Sequence, residues 1–161
     1  MSVPFSPPEN FAWITPYLTV TNGDISLEFY KKAFGFKEAH VVRDDAGNVL
    51  HAQLNYENQA IMMGAEGAYE SPVKAPKTSG VMPPVSMYLY TGDVDAFFAH
   101  AKANGATVNS EPVDAFWGDR MCSLQDPDGH IWCIGTPIPN FDPSTMVNVD
   151  HSSEACPSIG K

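Results

Sequence analysis

Phe116-Trp117-Gly118-Asp119-Arg120, followed shortly by Asp126-Pro127-Asp128-Gly129-His130-Ile131-Trp132-Cys133, decides how this chain folds. The stretch reads as an aromatic loop, a strand, a turn that needs glycine, and a second apolar strand. Asp126 and Asp128 belong to the turn, where Asp is favoured because its carboxylate bonds nearby backbone N–H groups. His130 follows Gly129 and is expected to make a structural hydrogen bond there.

Working outward, the elements before this segment occur twice. Thr21-Asn22-Gly23-Asp24-Ile25 leads into Ser26 through Gly35, and Thr91-Gly92-Asp93-Val94 leads into Asp95 through Gly105. In each copy a carboxylate, Asp24 or Asp93, stands where it can cap a helix. Apolar residues then recur at helical spacing until a glycine suited to the helix C-terminus. Alternating runs, Ile14–Val20 and Val85–Tyr90, precede the helices. Three strand-like runs follow each: Phe36–Arg43, Val49–Tyr56 and Ala60–Met63, then Thr107–Val113, Arg120–Gln125 and Ile131–Gly135. The order strand, helix, strand, strand, strand implies a duplicated unit whose copies bury apolar faces together.

The division that follows is an N-terminal extension over 1–12, a domain over 13–137 and a tail over 138–161. Within the domain, module one is 13–64 and module two is 85–137. The intervening 65–84 is rich in Gly, Pro, Ser and Lys, and is long enough to act as a flap over a pocket. The tail has no clear periodicity.

Composition narrows the function. The 161 residues carry 19 acidic and 9 basic side chains, a net charge of −10, without a Lys/Arg cluster. Nucleic acids and anionic membranes need a basic patch, so neither is an expected partner. No apolar run approaches the roughly 20 residues of a membrane span. Met1–Asn10 lacks a secretory layout, which makes the cytosol the expected compartment. Cys122, Cys133 and Cys156 match no zinc spacing and no disulfide framework.

Strand alternation assigns side chains to faces. Ile14, Leu18 and Val20 are expected to face the first helix, leaving Thr15, Tyr17 and Thr19 on the other side. Leu50, Ala52, Leu54 and Tyr56 alternate with His51, Gln53 and Asn55. Val85, Met87 and Leu89 alternate with Ser86, Tyr88 and Tyr90. Ser123, Gln125 and Cys133 join this open face, and Met62 in the first half matches Cys133 in the second. By parity Cys122 and Cys133 point to opposite faces, so no disulfide joins them.

The turn and the duplication together resemble the glyoxalase/bleomycin-resistance/dioxygenase (vicinal oxygen chelate, VOC) superfamily, and within it the PhnB-like branch. The resemblance covers about Trp13 to Pro137. It implies an α+β fold, two fused βαβββ modules forming a curved mixed sheet around a cleft, and a homodimer. In metal-using relatives the first and fourth strands of each module supply His, Gln or Glu ligands. Carried over, those places hold Thr15, Met62, Ser86 and Cys133. One thiol, one thioether and two hydroxyls do not meet the needs of zinc, nickel or iron. The expectation is therefore no cofactor, with a divalent metal as the alternative.

The resulting reading is a small-molecule-binding protein similar to those that sequester bleomycin-type antibiotics. Its candidate ligand contacts are Thr15, Tyr17, His51, Gln53 and Met62 in the first module. In the second they are Ser86, Tyr88, Trp117, Arg120 and Cys133. Phe116 and Trp117 either stack on a planar ligand or plug the end of the domain. Arg120 either pairs with its neighbour Asp119 or reaches ligand. The alternative is a glyoxalase-type lyase or dioxygenase with ligands such as His51 recruited to a relocated site. Metal-free catalysis ranks last, with His51 as acid/base and Cys133 as nucleophile. Against it, His51 also reads as a rim histidine and Cys133 as an inert buried thiol.

Overall fold

The computed structural model describes residues 6–144, so Met1–Phe5, Cys156 and the tail beyond 144 lie outside the described residues. The chain divides into two compact units, Met1–Gly80 and Val81–Lys161.

The first unit runs β1 (Tyr17–Val20), α1 (Gly23–Ala33), β2 (Lys37–Arg43), β3 (Val49–Tyr56) and β4 (Gln59–Ala65), then a short helix α2 (Pro76–Ser79). The second repeats the order as β5 (Ser86–Tyr90), α3 (Val94–Ala103), β6 (Thr107–Asp114), β7 (Asp119–Gln125) and β8 (Ile131–Pro137). Each forms a four-stranded mixed sheet, ordered β1-β4-β3-β2 and β5-β8-β7-β6. The helix carries the chain to the far edge of its sheet. Antiparallel returns then bring the last strand parallel to the first. The α+β fold of two like modules is thus present.

Helix α1 packs because Leu27, Tyr30 and Ala33 recur at helical spacing and are buried with Phe34. Beneath them lie Leu18, Val20, Ala52, Leu54 and Met63, also buried. Each large apolar side chain removed from water here contributes on the order of 2 kcal/mol. In the second unit Leu89, Cys122, Leu124 and Ile134 take that role against Val94 and Ala101 of α3. Both helices end before a glycine with positive φ, Gly35 at 73° and Gly105 at 98°. An L side chain there would be strained.

Three local expectations need correction. Strand β1 begins at Tyr17, and Ile14, expected to face the helix, is 88 % exposed. Pro16 lacks an N–H for the ladder and restricts Thr15 before it. Its carbonyl still accepts from the Met62 N–H at 2.9 Å. Val85 likewise stands outside β5 and is 63 % exposed, just after Pro83-Pro84. The cap of α1 is Asn22, whose side chain accepts from the Ile25 N–H at 3.0 Å, rather than Asp24. Asp24 instead joins the helix start to β3, accepting from Arg43 at 2.7 Å and the Val49 N–H at 3.0 Å. Asp93 does cap α3, through the Ala96 N–H at 3.0 Å.

In the segment after β4 one carboxylate gathers several contacts. Glu66 accepts from the Ala75 N–H at 2.7 Å and pairs with Lys74 at 3.6 Å. A bond from Thr78, that N–H and the lysine together hold its carboxyl below the usual range. At the other end of the chain, Phe141 lies against Gly118, where any Cβ would collide with its ring.

Candidate functional site

The helix-free face of the second sheet gathers the chemistry. Register pairs Tyr88 with Cys133 and Cys133 with Ser123, and pairs Tyr90 with Gly135 and Gly135 with Met121. Partners across a ladder share a face, so all six point the same way. Asp119, two residues before Met121, shares that face. It is only 7 % exposed.

Asp119 organises the cluster. Tyr88 donates its hydroxyl to Asp119 Oδ2 at 2.8 Å, and Tyr90 donates to the same oxygen at 3.2 Å. The two phenol rings lie 5.1 Å apart, tilted by 50°. Burial, followed by the bond to the carboxylate, pushes the Tyr88 phenol well above its ordinary value, while a bond with the Trp117 side chain works the other way. Tyr90 is raised for the same first two reasons.

Trp117 comes from the turn between β6 and β7. That turn is closed by Gly118 N–H to the Ala115 carbonyl at 3.1 Å and Ala115 N–H to the Asp119 carbonyl at 2.7 Å. Gly118 has φ 98°. Trp117 packs on Ala115, Met121 and Cys133, with Phe116 edge-on at 5.0 Å. The tryptophan is therefore both a plug and a wall of the tyrosine cluster.

The second strand pair is locked by Asp126. Its Oδ1 accepts from the Asp128 and His130 N–H groups at 3.0 and 2.9 Å, and its Oδ2 from the Trp132 indole at 3.3 Å. The turn thus fixes the start of β8, and with it the direction of Cys133. His130 is held there through its backbone N–H.

In the first unit the equivalent face carries Tyr17, Met62 and Gln53, joined across the register, with His51 beside Gly64. Tyr17 and His51 bond through the hydroxyl and Nδ1 at 3.2 Å and stack with ring centres 5.6 Å apart. Desolvation, with His40 nearby, lowers the His51 pKa, which favours neutral imidazole. The duplication reaches the side chains: Tyr17 lies over Gly64 as Tyr88 lies over Gly135. Gln53 donates to Asn55 at 3.3 Å.

Other sequence candidates are placed differently. Thr15 precedes β1 and gives its hydroxyl to the Ala12 carbonyl at 3.1 Å. Arg120 points to the helix side, since its register partner is Thr136 and it alternates with Asp119. It holds Asp95 through two bonds of 2.7 and 2.8 Å and Asp114 at 3.0 Å. The expected Asp119–Arg120 pair is therefore replaced by separate partners on opposite faces. Cys122 and Cys133 are free thiols on opposite faces. Burial pushes the Cys133 thiol up, offset in part by a bond with Ser86, and pushes Cys122 up to about 12. A thiol so held is a poor nucleophile.

The metal-bearing places of the fold do not fit a metal here. In the second unit they hold Ser86 and a protonated Cys133 bonded to each other. In the first they hold Met62 and a threonine engaged with backbone. None offers an imidazole or carboxylate. Among the described residues no group of three or more His, Cys, Asp and Glu is arranged to hold an ion.

Comparison with known proteins agrees with this architecture. A sequence model of the Glyoxalase/Bleomycin resistance protein/Dioxygenase superfamily matches residues 10–134. A Mycobacterium bovis protein, Mb0911c, is 33 % identical over 153 residues, 91 % of this chain and 93 % of its own length. The crystal structure of TioX from Micromonospora sp. ML1 superposes with TM-score 0.64 at 23 % identity, covering 79 % of this chain and 99 % of its own. TnmS3, an antibiotic binding protein from Streptomyces sp. CB03234, superposes with TM-score 0.57 at 22 % identity, covering 85 % and 98 %. At such identities the likeness to the two crystal structures concerns the fold.

Proposed function

The chain belongs to the Glyoxalase/Bleomycin resistance protein/Dioxygenase superfamily, and from that premise we propose that it is a metal-free, PhnB-like member that binds a planar or amphipathic small molecule. The observation that carries this reading is the cluster of Tyr88, Tyr90, Trp117 and Asp119 on the helix-free face of the β5–β8 sheet. Aromatic walls with a few fixed polar groups suit a flat organic ligand. The donor set at the inherited metal positions supports binding without an ion. That the fold is also used by an antibiotic binding protein is consistent with sequestration. Tyr17, His51, Gln53 and Met62 offer a second, more weakly polar lining on the first sheet. The protein acts in the cytosol as a homodimer, for which exposed Trp13, Ile14, Val81 and Met82 provide apolar surface.

A thermal-shift screen tests the reading with flat aromatic compounds in one arm and zinc, nickel, manganese and iron(II) salts in the other. Stabilisation by flat aromatics, lost in Tyr88→Ala, supports it. Stabilisation by a metal alone overturns it, in favour of a lyase or dioxygenase. Size-exclusion chromatography with light scattering tests the dimer, and a monomer at all concentrations refutes that part.

A further inference from the structure

Asp119 is a buried carboxylate that pairs with no cation among the described residues. Its Oδ2 takes both tyrosine hydroxyls, while no hydrogen bond within the described residues reaches Oδ1. Arg120, adjacent in sequence, faces the other side and is occupied by Asp95 and Asp114. Burying a carboxylate is costly unless a positive partner or several donors compensate it. Two neutral hydroxyls compensate one oxygen. The other keeps contact with solvent, since no buried side-chain oxygen among the described residues lacks a partner, and a ligand seated there would strip that water away. The neighbouring tyrosine rings are half exposed, Tyr88 at 43 % and Tyr90 at 56 %.

We propose that this cluster selects organic cations: a flat aromatic ligand bearing a charged N–H group that donates to Asp119 Oδ1 while its ring lies on Tyr88, Tyr90 and Trp117. Each component serves the same charge. A ring face attracts a cation through its quadrupole, most strongly for tryptophan; two tyrosines bond the carboxylate and Trp117 bonds Tyr88 beside them. A charge-assisted N–H to carboxylate bond is stronger than a neutral one. The protein's net charge of −10 favours the same sign of ligand at long range. A neutral ligand would leave Oδ1 uncompensated under its own body, and an anionic one would be repelled.

This inference rests on the binding reading above, and the test separates the two. Proflavine, a flat tricyclic cation with amino groups, and acridone, a neutral tricycle of similar size, are titrated against the full chain. Quenching of tryptophan fluorescence reports binding, with Trp117→Phe locating the signal. The expected result is proflavine bound at least about tenfold more tightly than acridone, a difference of about 1.4 kcal/mol. Asp119→Asn, which keeps the shape and removes the charge, is expected to erase that preference while acridone binding persists. Asp45→Asn, the same charge change at an exposed site, leaves the preference intact. Equal binding of the two probes by the wild-type chain overturns the cation inference and spares the binding reading. An equal loss in Asp45→Asn also overturns it, because net charge then explains the effect. Failure of both probes to bind overturns both. Should Asp119→Asn not fold, Tyr90→Phe serves, since it leaves Asp119 with one donor fewer; the proflavine preference must then hold or grow, and its fall counts against the proposal.

Discussion

Tyr88 reaches across the sheet from β5 to the first residue of β7, giving its hydroxyl to Asp119 at 2.8 Å while its ring lies over Gly135. The bond is possible because Gly135 has no side chain: a Cβ there would stand 2.8 Å from the phenol oxygen and 3.0 Å from a ring carbon. Position 135 therefore sets where the tyrosine lies, and the tyrosine sets how the carboxylate is held.

Gly135→Ala is accordingly expected to displace the Tyr88 ring and break its bond to Asp119. The obstructing atoms are the far end of a side chain, so the fold should survive with a loss of about 1.5–3 kcal/mol, the scale of one hydrogen bond to a charged group. Binding of flat aromatics should weaken by at least about tenfold. A urea melt and a fluorescence titration read the two effects. Unchanged binding would mean that Tyr88 is not a contact.

Asp126→Ala removes the acceptor for two backbone N–H groups and the Trp132 indole, in a residue only 4 % exposed. Buried donors left unpaired cost about 1–3 kcal/mol each, and partial access of water brings the expected total to about 3 kcal/mol. Asp126→Asn keeps one acceptor oxygen and should cost about half as much. Urea denaturation checks both, and equal stability of the three proteins would contradict the assigned role.

Glu66 makes the segment between the modules sensitive to pH. Its folded pKa lies below the unfolded value, so its contribution is complete above the unfolded value of about 4.3. The contribution is lost as pH falls through the lower folded value. Near neutral pH, Glu66→Gln should already loosen the segment, seen as faster tryptic cleavage after Lys74 and Lys77. Identical cleavage in the variant would show that the helix α2 region is held by other contacts.

The Cys133 thiol, raised by burial, should alkylate slowly with iodoacetamide in the native protein at pH 8 and rapidly in urea. Peptide mass mapping distinguishes it from Cys156. Fast native labelling would instead revive a nucleophilic role for this residue.

Much of this site could be read from strand parity. Tyr88, Tyr90, Ser123 and Cys133 share the helix-free face because alternation along the strand leaves no other choice. Asp119 is hidden from parity for two reasons. Its strand pattern looks as if it begins only at Arg120, and adjacent opposite charges look like a pair. Neighbours along a strand point to opposite faces, so extending the Ser123 parity back to 119 would have found the carboxylate. Ile14 and Val85 mislead for another reason: both look like strand residues, but the nearby Pro16 and Pro84 deny the ladder its donors. Asn22 rather than Asp24 caps α1 because the helix begins a residue before the carboxylate. The tertiary links of Arg120 to Asp95 and Asp114 carry no local signal.

The most direct test is proflavine titration of protein stripped with EDTA and shown by elemental analysis to hold no transition metal. The account requires the same affinity before and after stripping, with loss of binding in Tyr88→Ala. If stripping abolishes binding and one equivalent of zinc or nickel restores it, the site is a metal centre and the account is wrong.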